Sequence, residues 1–107
     1  MFNINGETWR VLLVSPFHPS LLKSDMTYAL GVCDDQAKTI YINRELNNEK
    51  FNKVLCHEVT HAAMFSYNIE LSIEQEEIIA DLFATYGEEI VDIANSVFIR
   101  LKEKRGT

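Results

Sequence analysis

The sequence is poor in most of the features that would place it outside ordinary globular proteins. Two cysteines in 107 residues are too few for the disulfide-dense frameworks of small secreted domains. Cys33 and Cys56 are therefore expected as reduced thiols in small apolar packing roles. Two prolines and four glycines rule out a collagenous or low-complexity chain. No apolar run approaches the roughly 20 residues that span a bilayer. Met1-Phe2-Asn3-Ile4-Asn5-Gly6-Glu7 shows no basic segment leading into an apolar one, so a cytoplasmic protein without a membrane partner is expected. Basic residues are scarce too. Ten Lys and Arg against sixteen Asp and Glu leave a formal charge of −6, which repels a phosphate backbone and argues against a nucleic-acid partner. There is no repeat or linker, and a chain of this length fills one modest core but not two. Residues 1–107 are expected to form a single domain.

The β-branched and aromatic stretches are short and lie early. Phe2 to Ile4 and Thr8 to Val14 flank Asn5-Gly6, the dipeptide that most readily supplies the positive φ angles of a tight hairpin. Pro16 and Pro19 then bracket a loop. Tyr28 to Val32 and Thr39 to Ile42 read as a second pair of strands around the polar turn Asp34 to Lys38. From Asn47 or Asn48, either able to cap a helix, apolar residues recur at helical spacing to about Tyr67. Ser72 and Gln75 form the pattern of a capping box, so a second helix is expected from Ile73, with Ile78, Ile79, Leu82 and Phe83 toward the core. Gly87 either ends that helix or weakens a longer one. The apolar period resumes from Ile90 to Leu101 and runs to Lys104, where it is expected to pack over the sheet or cover a partner, with Gly106 marking the end. The class implied is α+β, a short N-terminal antiparallel or mixed sheet followed by two to three helices.

Cys56-His57-Glu58-Val59-Thr60-His61 carries the chemistry. Histidines four apart on a helix share one face and reach one tetrahedral ion, whereas Cys56 is rotated about 100° away from His57. Glu58 adjoins the first histidine, where a carboxylate can serve a water on the metal without itself binding the ion. A third ligand must come from the acidic start of the second helix. Glu77, with 15 residues between it and His61, leaves room for an antiparallel return. Asp81, one turn later, can accept from the outer nitrogen of a histidine and fix its tautomer. Glu76 competes for the ligand position, although its face continues to Ala80, Phe83 and Gly87 and looks more like core. The bland alternatives are an exposed histidine pair and a solvated acidic helix. His18 is expected to be structural or exposed, and Tyr41, Tyr67 and Tyr86 to pack with their hydroxyls outward. Arg100, Lys102, Lys104 and Arg105 suit the negative end of a helix dipole.

The run Val54 to Ala63 resembles the extended zincin motif, with uncharged residues around HExxH. Glu77-Ile78-Ile79-Ala80-Asp81 is similar to the ExxxD of gluzincins, in which the glutamate is the third ligand and the aspartate orients a ligating histidine. The layout from Gly31 to Tyr86 further resembles the compact ImmA/IrrE-like and phage-type minimal metallopeptidases, with Glu77, Ala80, Phe83 and Ala84 echoing their spacing. The resemblance implies a small zincin-like fold, an edge strand such as Thr39–Ile42 beside the site, and zinc on His57, His61 and Glu77. It also implies Glu58 as general base in peptide or amide hydrolysis, and a peptide or protein substrate. A non-catalytic zinc-binding interaction module is the competing expectation. Homo-oligomerisation through the C-terminal helix is a further expectation, drawn from the apolar stripe Ile90 to Leu101.

Overall fold

The computed structural model describes residues 1–104, so the expectations for Arg105 and Gly106 fall outside the described residues. Phe2–Ile4 (β1) and Glu7–Val14 (β2) form an antiparallel hairpin with Phe2 opposite Trp9. Its turn holds Asn5 at φ 50° and Gly6 at φ 80°, the pair of positive angles that Asn-Gly supplies most cheaply. Gly31–Asp34 (β3) and Thr39–Asn43 (β4) form a second antiparallel pair, and β4 runs parallel to β2, giving the sheet order β1-β2-β4-β3. Between the pairs, Pro19–Leu21 makes one 3-10 turn, which His18 caps by accepting from the Ser20 amide at Nδ1.

Two strand expectations are corrected. The third strand begins at Gly31 and not at Tyr28, because residues 22–28 turn back on themselves. Lys23 bonds Thr27, Met26 adopts φ 70°, and Tyr28 makes only an isolated bridge to Leu22. Thr39–Ile42 is not an edge. It lies between β2 and β3, with Thr39, Ile40 and Ile42 fully buried, and the edges are β1 and β3.

Helix α1 (Asn48–Ser66) starts at Asn47, whose side chain accepts from the Lys50 amide, and ends at Asn68, which takes φ 54°. Its inner face meets the sheet. Trp9, Ile40, Ile42 and Ala62 form the core, with Phe51, Val54, Leu55 and Val59 packed around it. The Trp9 indole donates to Ser66 Oγ at 2.8 Å and Asn5 donates to the Ser66 carbonyl at 3.0 Å, so the hairpin is fastened to the helix end.

Helix α2 (Ile73–Lys104) opens with the expected capping box, Ser72 and Gln75 exchanging two bonds of 3.1 Å. It returns antiparallel along α1, since Cys56 Sγ contacts the Phe83 carbonyl near one end and His61 meets Glu76 near the other. Because α1 already covers the sheet, α2 packs on the outer side of α1 and buries only Ala80 and Gly87. This corrects the expected inward set. Ile78, Ile79, Leu82 and Phe83 are 68, 39, 50 and 51% exposed. Gly87 does not end the helix. The Phe83 ring lies where its Cβ would be, with Cδ1 2.8 Å from that point. Beyond it the chain continues as helix to Lys104 without packing over the sheet.

Candidate metal centre

The two helices bring His57, His61 and Glu77 together. The inner nitrogens, Nε2 of both imidazoles, lie 3.1 Å apart. The Glu77 carboxylate spans them, with one oxygen 3.2 Å from His57 and the other 3.0 Å from His61. One donor atom from each of the three residues lies within 4.8 Å of the others. The i, i+4 spacing on α1 makes the imidazoles neighbours, and the antiparallel return of α2 lowers Glu77 onto them.

The outer nitrogens are also engaged. Asp81 Oδ1 lies 2.9 Å from His57 Nδ1, the position expected of it, and Glu76 Oε1 lies 2.6 Å from His61 Nδ1. Glu76 thus faces the outer nitrogen of His61, apart from the group of His57, His61 and Glu77, and is not an apolar core position. Adjacent on one helix, Glu76 and Glu77 grip opposite edges of the same imidazole. Sequence reasoning missed this arrangement, although a signal existed. Glu76 lies on the same helix face as buried Ala80 and Gly87, and a carboxylate turned inward requires a proton donor.

This hydrogen-bond pattern tests the fit of a cation. With each Nδ1 facing a carboxylate, the tautomer that donates outward from Nδ1 turns its Nε2 lone pair toward Glu77. In that tautomer both Nε2 lone pairs meet the two Glu77 oxygens at 3.0 to 3.2 Å. Two imidazoles with one carboxylate form a donor set that suits a divalent transition metal.

Glu58 is 7% exposed and lies beside this cluster. Burial raises its carboxyl above the ordinary range; His57 and His61 oppose that shift, and Glu77 adds to it. Glu58 and His57 line both of two adjoining cavities. One, of about 520 Å³, extends toward Lys23, Cys33 and Phe65. The other, of about 240 Å³, extends toward Leu30, Lys53 and Ala84. The edge strand β3 forms the shared wall at Gly31, where an added Cβ would stand 2.7 Å from Val54 Cγ1 and 3.1 Å from Glu58 Cγ. The absence of a side chain at Gly31 is what brings β3 against Glu58.

Cys33 and Cys56 are free thiols and only partly buried. Burial, reinforced by the Glu58 carboxylate, pushes the Cys33 thiol up to about 12, so it stays neutral and is a poor ligand. Cys56 reaches across to the Phe83 carbonyl of α2. His18 stacks against Tyr41 with ring centres 6.2 Å apart, a structural role as expected.

No curated protein and no solved structure gives a match to the chain. The family described as Peptidase M78, IrrE N-terminal-like domain, matches residues 19–95, a span that holds β3, β4, α1, every residue of the cluster and Glu58. The chain belongs to the IrrE N-terminal-like family of the M78 peptidases.

Proposed function

We propose that the protein is a zinc-dependent metallopeptidase in which His57, His61 and Glu77 hold the ion, Asp81 and Glu76 fix the two imidazoles, and Glu58 is the general base. The observation that carries this reading is the convergence of two outward-braced imidazoles and one carboxylate beside a second, buried carboxylate in the wall of an open cleft. When bound by His57, His61 and Glu77, a zinc ion would supply Lewis-acid polarisation of a scissile carbonyl and a water whose pKa is about 7. Glu58 takes the proton of the attacking water and returns it to the leaving amine. Its raised proton affinity suits the first step, since a carboxylate that holds a proton more tightly is the better acceptor of the water's proton. Gly31, Val32 and Cys33 of the edge strand line the larger cavity, so an extended peptide can lie beside β3 and use its free backbone groups.

The test compares wild type with Glu58→Gln on a peptide library after metal analysis of both. Equal zinc, with turnover in wild type alone, supports the assignment. Full zinc without turnover in wild type favours the other reading, a non-catalytic zinc-binding interaction module, to which the exposed apolar half of α2 gives some support.

A further inference from the structure

The two cavities that meet at Glu58 lie in line along the edge strand. The smaller is bordered by Leu30 and Gly31, where β3 begins, and by Lys50, Lys53, Val54 and His57 of α1. The larger is bordered by Val32 and Cys33 and by His57, His61 and Phe65. Strand and helix advance together from one cavity to the other, so a chain laid beside β3 passes from the first, over Glu58, into the second.

The two cavities differ in charge. Apart from Glu58, which lines both, the smaller has two lysines and one carboxylate, Asp81, whereas the larger has one lysine, Lys23, and two carboxylates, Glu76 and Glu77. Asp81 is turned to His57 Nδ1 at 2.9 Å. Lys38 is held by Glu7 and Asp35, but neither Lys50 nor Lys53 has an ion-pair partner among the described residues. Lys50 also stands in the first turn of α1, where the helix dipole disfavours a cation and attracts an anion.

We infer that the smaller cavity takes a carboxylate of the substrate, recognised by Lys53 and Lys50. The inference rests on the peptidase reading for its ligand, a peptide. Lys53 and Lys50 precede His57 by four and seven residues, about 6 and 10 Å along the helix axis. An extended peptide advances about 3.3 Å per residue, so a carboxylate about two residues from the scissile bond comes level with Lys53. Its source is an acidic side chain or the carboxyl end of the peptide. Two ion pairs at exposed lysines together give about 3- to 10-fold in affinity.

Binding to zinc-loaded Glu58→Gln reads this preference without turnover. The probes are fluorescent alanine-rich peptides of about eight residues, about 26 Å when extended, with a central Glu, Gln or Lys, each as free acid and as amide. The Glu amide is expected to bind about 3- to 10-fold more tightly than the Gln amide, and the difference should shrink with salt. Adding Lys50→Glu/Lys53→Glu, which suits the helix dipole, should leave zinc content and circular dichroism unchanged and reverse the preference toward the Lys peptide. Free acids bound more tightly than amides, with Glu and Gln equal, assign the carboxylate to the chain end. Equal binding of all the peptides, no binding of any, or a carboxylate preference that survives the double substitution overturns the inference. Wild-type protein on the same peptides separates it from the reading beneath it. Turnover without carboxylate preference removes the subsite alone, and carboxylate preference without turnover removes the peptidase reading alone.

Discussion

Glu77→Gln, Glu76→Gln and Asp81→Asn separate the three acidic residues that touch the imidazoles, and their burial ranks the losses. Each substitution keeps an oxygen acceptor and removes one negative charge, so shape is conserved and only electrostatics change. Among the described residues Glu77 alone sets a carboxylate on the inner nitrogens, so under the proposed assignment its loss removes a ligand. Glu76 holds His61 Nδ1 at 2.6 Å with its side chain 18% exposed, whereas Asp81 holds His57 Nδ1 at 2.9 Å and is 72% exposed. A charge-assisted hydrogen bond shielded from water contributes about 1.5 to 3 kcal/mol, and at about 1.4 kcal/mol per factor of ten that is roughly 10- to 100-fold in affinity. A solvated one contributes about 1 kcal/mol or less, as exposed ion pairs do. The expected order of weakening is therefore Glu77→Gln, beyond about 100-fold, then Glu76→Gln at about 10- to 100-fold, then Asp81→Asn at about 10-fold or below. Competitive chelator titration near pH 8, where ordinary imidazoles are neutral, measures all three without interference from histidine protonation. Zinc affinity unchanged in Glu77→Gln, or a greater loss in Asp81→Asn than in Glu76→Gln, refutes the reasoning.

Glu58→Gln should lower peptide turnover by about 100- to 10,000-fold at unchanged zinc content. In the metal-free protein the same substitution should flatten the pH dependence of stability. Burial raises the Glu58 carboxyl above 4.5, so the folded state binds the proton more tightly than the unfolded chain. The resulting stabilisation is present at low pH and is lost as pH rises from about 4.5 through the raised value; urea melts at pH 5 and pH 8 read the difference. Gly31→Ala should force β3 away from Val54 and Glu58, at a cost of about 1 to 3 kcal/mol. It should reduce kcat more than zinc occupancy, and a variant as stable and active as wild type contradicts the close approach. Ser66→Ala leaves the fully buried Trp9 indole without its acceptor and should cost about 1 to 3 kcal/mol, measured as a fall in Tm.

Local chemistry was legible where neighbouring residues alone decide the outcome. Asn5-Gly6 specifies its turn, Asn47 and the Ser72–Gln75 pair specify two helix starts, and four-residue spacing unites His57 with His61. What was not legible depends on neighbours distant in sequence. Alternation in Thr39–Ile42 marks a buried face but not which strands flank it, so an interior strand was taken for an edge. The inward face of α2 was misjudged for a related reason. A periodic stripe is read as a core stripe, but with α1 occupying the sheet the space left beside α1 admits Ala80 and Gly87 and excludes Ile78 and Leu82.

Small residues on α2 and the reach of its carboxylates are parts of one solution. A side chain of glutamate length that is to span both imidazoles, while its sequence neighbour grips the far edge of one of them, requires the two helix axes to be close. Ala80, fully buried one turn after Glu76, sets that approach, and a larger residue there would lift both glutamates off His61 together. Gly87 extends the approach a further two turns, with the Phe83 ring folded over its bare backbone. Past that point α1 ends, the constraint lapses and the same stripe enlarges at once to Ile90, Val97 and Leu101. The change from small to large residues along one helix face therefore coincides with the end of α1, the helix that must come close for Glu76 and Glu77 to reach the imidazoles.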